Sequence, residues 1–291
     1  MGDAIHLASG GSVAVIALEG AEPLIWSVEG RGLLWQADAA YWDRTSPILF
    51  PIVGSARNDT IRIDGLRYGM GVHGFAATKE FTLVEQTADT ACLILHDDAR
   101  SRGMFPFAFE LEVHYRLEPH ALSVSFLVRN TGTTALPYAI GFHPGFRWAS
   151  GPERDSYRIE FERDEVPQVP VITKEGLFRN RTRHIPLEGR SLSLSDDLLA
   201  NGALCFLNAR SKSLCLVTSD GMISMAVEDF PHFAVWSKRS APFVCLEAWT
   251  GHGDPDDFDG DILGKPSMRL LRPGTEARHA VRLAFSESTL P

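Results

Sequence analysis

An all-β fold, a large sandwich of two packed antiparallel sheets, is what this sequence predicts. Three observations predict it: strict apolar–polar alternation, turn signals that recur at strand-length intervals, and a scarcity of helical periodicity. Near the N-terminus, Val13 and Val15 and then Leu24 and Trp26 flank Glu19-Gly20, the pattern of a hairpin. A second pair surrounds Asp64-Gly65, where Ile61 and Ile63 meet Leu66 and Tyr68. The clearest run places Phe109, Leu111, Val113, Tyr115 and Leu117 on one face, with Glu110, Glu112, His114 and Arg116 on the other. After Glu118-Pro119-His120 the same period returns in Leu122, Val124, Phe126 and Val128, so the two runs form an antiparallel hairpin that ends at Asn130-Thr131-Gly132. Short apolar segments around Leu214, Met222, Phe233, Phe243 and Met268, each punctuated by Gly, Pro or Asp, extend the pattern. Only residues 195–204 suggest a helical turn, with Ser195 as its N-cap and Asp196-Asp197 beside the positive helix end.

The chain has 291 residues, a length that large β-sandwiches reach as one folded unit, so residues 1–291 are expected to form a single domain. Hydrophobic residues make up 44% and charged residues 22%, enough apolar material for a continuous core. The formal charge of −9 argues against nucleic acid as a partner, because phosphate binding rests on Lys and Arg; a neutral or cationic small molecule fits better. No apolar stretch is long enough to span a bilayer, and the segment from Met1 to Gly10 lacks a basic stretch followed by an apolar run, so a cytoplasmic location is expected, with no membrane partner. Cys92, Cys205, Cys215 and Cys245 sit singly in apolar segments, which points to buried reduced thiols rather than to zinc or redox pairs.

Three polar, titratable residues interrupt apolar or glycine-rich segments where a purely structural sequence would place Val or Leu. His73 lies in Gly71-Val72-His73-Gly74-Phe75, where the glycines let a ligand approach the backbone. His143 lies in Gly141-Phe142-His143-Pro144-Gly145-Phe146, and Pro144 biases it toward an extended conformation. Glu247 lies between Leu246 and Trp249, where partial burial should raise its pKa toward a general base's working range. Each also has a structural reading: a satisfied core histidine, a buried glutamate paired with an arginine, or aromatic neighbours such as Trp249, Trp236 and Phe146 that belong to the core. Periodicity leaves these readings open.

The strings SPILFPIVG, HGFA, GFHPGF and CLEAWTG, in this order between about Leu33 and Phe285, resemble the signature segments of aldose 1-epimerase-related proteins. The chain is most similar to a bacterial branch in which HGFA replaces the HGG string of typical galactose mutarotases. The resemblance implies a galactose mutarotase-like supersandwich, with His143 as general acid, Glu247 as general base and His73 as a substrate-orienting histidine. It also implies a sugar-binding arginine, for which Arg57 in Gly54-Ser55-Ala56-Arg57-Asn58-Asp59 is the candidate, with Asn58 beside it. His232 and Trp236, in PHFAVW, and Trp249 are further candidates for the cleft. Two departures stand out. Alanine follows Glu247 where the family usually has proline, and the segment equivalent to a sugar-binding aspartate offers only Asn201 and a glycine, which puts galactose specificity in doubt.

The activity implied is interconversion of the α and β anomers of a free aldose, an isomerase reaction of carbohydrate metabolism. It needs two proton movers and no cofactor, metal or covalent intermediate. Rival readings are a hexose-6-phosphate 1-epimerase, for which Arg102 or Arg147 would have to face the cleft, a glycoside hydrolase or lyase with two carboxylates, and a catalytically silent sugar-binding protein. The acidic run Asp254, Asp256, Asp257, Asp259 and Asp261 suits a solvated loop better than a calcium site. The sequence leaves the sugar and the oligomeric state open.

Overall fold

A nine-stranded antiparallel sheet forms one layer of the computed structural model, which describes residues 4–149 and 151–287. Its spatial order is Ser191–Ser193, Arg158–Phe161, Ser213–Val217, Gly221–Glu228, Glu276–Glu287, Ala121–Arg129, Glu110–Glu118, Thr90–His96 and Thr82–Gln86. The alternating run seen in sequence is the strand Glu110–Glu118, paired with Ala121–Arg129 from Glu110 opposite Arg129 to Glu118 opposite Ala121. Leu111, Val113, Tyr115 and Leu117 are buried and the residues between them are not, as a two-residue side-chain period requires.

The second layer contains Leu204–Phe206, His232–Trp236, Phe243–Trp249, Gly141–Phe142 and Ile48–Leu49, with Gly145–Arg147 also paired to Phe243–Trp249. Every residue of Phe243–Trp249 is buried, so this strand is covered on both faces. Val244, Leu246 and Ala248 point into the large core between the sheets, whereas Cys245 and Trp249 belong to two smaller clusters on the opposite face. Phe126 of the large sheet meets Phe142 of the small one, ring centroids 6.2 Å apart, across the main core.

Both predicted early hairpins are present: Ser12–Ala17 pairs with Pro23–Val28, and Thr60–Ile63 with Leu66–Gly69. Asp64 and Gly65 both have positive φ, 50° and 79°, the twist a two-residue hairpin turn demands. The helical turn also forms, over Asp196–Leu199, with the Ser195 hydroxyl accepting the N–H of Leu198. A second short helix, Ala99–Arg102, was not anticipated; Asp98 and Ser101 close it with a reciprocal capping box. The thiols divide: Cys205 and Cys245 are buried as expected, but Cys92 and Cys215 are only half-buried, because both face outward on strands whose alternate residues fill the core. Among the described residues, no helix is long and apolar enough to cross a membrane.

A buried carboxylate fixes the loop that leads into the small sheet. Glu22 Oε1 accepts the backbone N–H groups of Thr45 and Ser46 at 2.7 and 2.8 Å, and its Oε2 lies 3.4 Å from Arg44 Nη1. Glu22→Ala would leave two buried amides without acceptors, and we expect it to lower the unfolding free energy by about 3 kcal/mol. Urea denaturation with an unchanged slope would register the loss as a shifted midpoint.

Candidate active site

The site is built on one cross-strand register. Gly141 faces Trp249, Phe142 faces Ala248 and Gly145 faces Cys245, so the uninterrupted count sets His143 opposite Glu247. Pro144 has no N–H to give to the ladder, yet its carbonyl still accepts the N–H of Leu246 at 3.2 Å, and the His143 N–H donates to Pro47 at 3.1 Å. These bonds hold the His143 backbone on both sides. Glu247 shares its face of the strand with Cys245 and Trp249, which is the face turned away from the main core.

The two side chains touch. His143 Nε2 is 3.2 Å from Glu247 Oε2, and the indole N–H of Trp249 donates to the same oxygen at 3.0 Å. The imidazole and the carboxylate stand side by side in one wall rather than facing each other across the cleft. They line a cleft of about 460 Å³ together with His73, Trp42, Trp236, Trp249, Phe178 and Ser55. That volume lies within the range of about 300–1,000 Å³ usual for small-ligand sites.

Burial governs the charges here. It pushes the Glu247 carboxyl up to about 8, against the opposing hydrogen bond from Trp249. It pushes the His143 imidazole well below its ordinary value, with the neighbouring His73 adding to the effect. His143 Nδ1 is buried, and none of the described residues hydrogen-bonds it. Trp42 lies against the His143 ring at 4.9 Å with a 32° tilt, and Trp236 meets it edge-on at 5.7 Å.

His73 stands 5.7 Å from His143, ring to ring and edge-on. Its backbone has a positive φ of 65°, a strained conformation for a side chain of this size. The loop is tied down by Phe50 N–H to the His73 carbonyl and His73 N–H to the Gly54 carbonyl. Glycine is required next to it: at Gly74, φ is +78° and a Cβ would meet the Phe50 carbonyl oxygen at 2.3 Å. His73 Nδ1 accepts the Gly54 N–H at 3.0 Å and burial lowers the ring to about 4, so the ring is neutral with Nε2–H left as a donor.

Three residues expected at the sugar lie elsewhere. Arg57 and Asn58 line a separate small pocket with Asp254 and Lys265. Positive φ at Asn58 and Asp59 turns the chain there, while Asp254 Oδ2 anchors the Arg57 N–H at 2.9 Å. Ser55, two residues earlier, reaches the cleft instead. His232 shares the sheet face of Trp249, its cross-strand partner, but lies outside the cleft lining: its Nδ1 accepts the Asn208 N–H at 2.9 Å and its ring packs edge-on to His252. In residues 199–204 the lining is Gly202 and Ala203 rather than Asn201. The acidic run anchors loops: Asp254 forms a buried pair with Lys265 at 2.7 Å, and Asp261 accepts the N–H groups of Asp64 and Leu263.

Sequence reasoning missed Trp42, Phe178, Arg44 and Lys174, all of which border the cleft. For Trp42 a signal existed, an aromatic and charged cluster, Tyr41-Trp42-Asp43-Arg44, just before the apolar SPILFP run. For Phe178 and Lys174 there was none, because they reach the cleft on the hairpin formed by Gln168–Ile172 and Phe178–His184, whose second strand is polar after Phe178.

Comparison with known proteins identifies the family and the fold. The profile of the family described as aldose 1-epimerase matches residues 3–282. The chromosomal protein LacX of Lactococcus lactis subsp. lactis is 33% identical over 259 residues, 84% of this chain and 86% of that one. Among solved structures, a galactose mutarotase-like protein from Lactobacillus casei superposes with a TM-score of 0.93 at 28% identity, covering 98% of this chain and 100% of the other. A galactose mutarotase related enzyme from Lactobacillus acidophilus gives 0.91 at 28% identity, over 99% and 100% of the two chains. With a family match across almost its whole length and a sandwich of the same architecture, the chain belongs to the aldose 1-epimerase family.

Proposed function

We propose that the protein is an aldose 1-epimerase that interconverts the α and β anomers of a free, uncharged aldose. The observation that carries this reading is the 3.2 Å contact between His143 and Glu247 at the wall of a sugar-sized cleft. The two oxygens to be serviced, the ring oxygen O5 and the hydroxyl O1, are bonded to the same carbon, and a touching acid–base pair suits such close targets. Glu247 takes the O1 proton while His143, as the imidazolium, gives a proton to O5; the C1–O5 bond breaks and C1=O1 forms. Rotation about C1–C2 and reclosure with the roles reversed deliver the other anomer.

The pair needs one proton in total. Burial favours the form with that proton on Glu247, and transfer along the Oε2–Nε2 contact gives the imidazolium–carboxylate form that begins the reaction. Oε2 is occupied by Trp249 and His143, and among the described residues none hydrogen-bonds Oε1, which is the oxygen left to meet the sugar. His73 Nε2–H supplies a neutral donor for a substrate hydroxyl, and Trp42, Trp236 and Trp249 supply flat apolar faces for sugar C–H groups.

An uncharged substrate is favoured by the cations nearby. Arg44 borders the cleft but is paired with Glu22 and Glu19. Arg102 is paired with Asp97, and Arg147 lines a different hollow. A sugar phosphate would have to rely on Lys174 at the exposed lip. Isomerisation is favoured over hydrolysis because Glu247 is the one carboxylate among the described lining residues, and glycoside hydrolysis usually employs two.

Screening free aldoses and hexose 6-phosphates for accelerated anomer equilibration tests the reading; acceleration confined to the phosphates would overturn the choice of substrate, and tight sugar binding without any acceleration would indicate a silent binding protein. His143→Asn and Glu247→Gln are each expected to lower kcat by about 10²- to 10⁴-fold with sugar affinity largely kept, as followed by polarimetry. Wild-type rates in either would remove that residue from the mechanism.

The pH profile follows from the proton count. Above about 8 the pair loses its single proton and O5 has no acid; below the depressed imidazole value it holds two and O1 has no base. The profile of kcat/KM should therefore fall on the alkaline side near 8 and on the acid side below the ordinary histidine range. Trp249→Phe removes a donor that lowers the Glu247 pKa, so the alkaline limb should move to higher pH. A limb that stays in place would mean that another group sets it.

A further inference from the structure

Outside the cleft, the solvent face of the nine-stranded sheet brings together three metal-ligating side chains. Cys92 on Thr90–His96 and His114 on Glu110–Glu118 are direct cross-strand partners, and Glu112 lies two residues before His114 on the same face. Cys92 Sγ is 3.8 Å from His114 Nε2, and that nitrogen is 2.7 Å from Glu112 Oε2. One donor atom from each residue falls within 4.8 Å of the other two. The row continues on both sides, with Glu85 opposite Cys92 and Ser125 opposite His114. Glu85, Cys92, His114 and Ser125 border an open hollow of about 400 Å³.

We propose that Cys92, Glu112 and His114 form a surface site for a borderline divalent transition-metal ion, Zn²⁺ by its donor chemistry, with Glu85 or water as the fourth ligand. A thiolate, an imidazole and a carboxylate together suit zinc, whereas magnesium and calcium take oxygen donors alone. Zinc bonds of about 2.0–2.3 Å in a tetrahedron place neighbouring donors roughly 3.5 Å apart. The Sγ–Nε2 separation is already close to that, and the Nε2–Oε2 pair needs to open by less than the width of an atom. Binding is simple ligation: the Cys92 thiol proton leaves to solvent as the sulfur–metal bond forms, and nothing is oxidised or reduced.

The carboxylate is already oriented for this. Arg129 Nη1 contacts Glu112 Oε1, which leaves Oε2 turned toward His114; an ion can take Oε2 without breaking the arginine contact. Such an outer partner fixes a ligand's direction, as it does at metal sites generally. The row of side chains explains why the spacing of cysteines in sequence held no zinc signal: the ligands are neighbours through strand pairing and not through a local motif.

Titration of the reduced full-length chain with Co²⁺ tests the site independently of the cleft. We expect one cobalt ion, displaceable by Zn²⁺, with a thiolate-to-metal charge-transfer band. That band should vanish in Cys92→Ser, whose fold is checked by circular dichroism, and affinity should drop by at least about tenfold in His114→Gln and Glu112→Gln. It should persist in Cys215→Ser, which removes the other half-buried thiol, and in His143→Asn, which removes a possible ligand in the cleft. If Cys92→Ser does not fold, the His114 and Glu112 variants carry the test. Absence of the band in the wild type, its survival in folded Cys92→Ser, unchanged affinity in both His114→Gln and Glu112→Gln, or its loss in Cys215→Ser or His143→Asn would overturn the proposal.

Discussion

The register between two adjacent strands of the small sheet is the constraint on which the site depends. Because Gly141 and Phe142 pair with Trp249 and Ala248, and Gly145 with Cys245, His143 and Glu247 have no alternative but to be neighbours. Sliding the register by one residue would carry Glu247 into the main core, where Val244, Leu246 and Ala248 now pack. The hydrophobic core therefore does more than hold the sheets together: it selects which residues of Phe243–Trp249 face the cleft.

Placing a carboxyl group on a fully covered strand is costly, and the protein manages the cost with few contacts. Trp249 donates to Glu247 and His143 lies against it, while the aromatic rings of Trp42 and Trp236 exclude water from the imidazole. The same burial raises the carboxyl and depresses the imidazole, the order in which the proposed reaction needs their proton affinities. Stability and chemistry draw on one arrangement here. The strained His73 backbone fits that picture, since it is held by the Phe50 and Gly54 bonds of a rigid loop rather than by its own preference.

Much of the sandwich was legible because its signals are local. The alternation through Leu111 and Tyr115, the turns at Asp64-Gly65 and Pro119-His120, and the Ser195 cap each act within a few residues, and each is found where expected. His73, His143 and Glu247 stood out for an equally local reason, as polar residues in apolar or glycine-rich surroundings, and all three reach one cleft. What escaped depends on distant partners. Arg57 is drawn away by Asp254, far along the chain; His232 is turned onto Asn208; Phe178 and Lys174 arrive on a hairpin whose second strand is polar after Phe178. Cys92 and His114 share a face only because two strands pair. Trp42 is intermediate, since its aromatic neighbourhood was visible but its approach to His143 was not.

A structure of the protein with a bound hexose tests the central claim most directly. The account predicts the anomeric carbon at the His143–Glu247 wall, with O1 and O5 each within hydrogen-bonding distance of one of the two side chains and His73 on a neighbouring hydroxyl. A hexose seated with its anomeric centre away from that wall, or held instead in the small pocket beside Arg57, would contradict it.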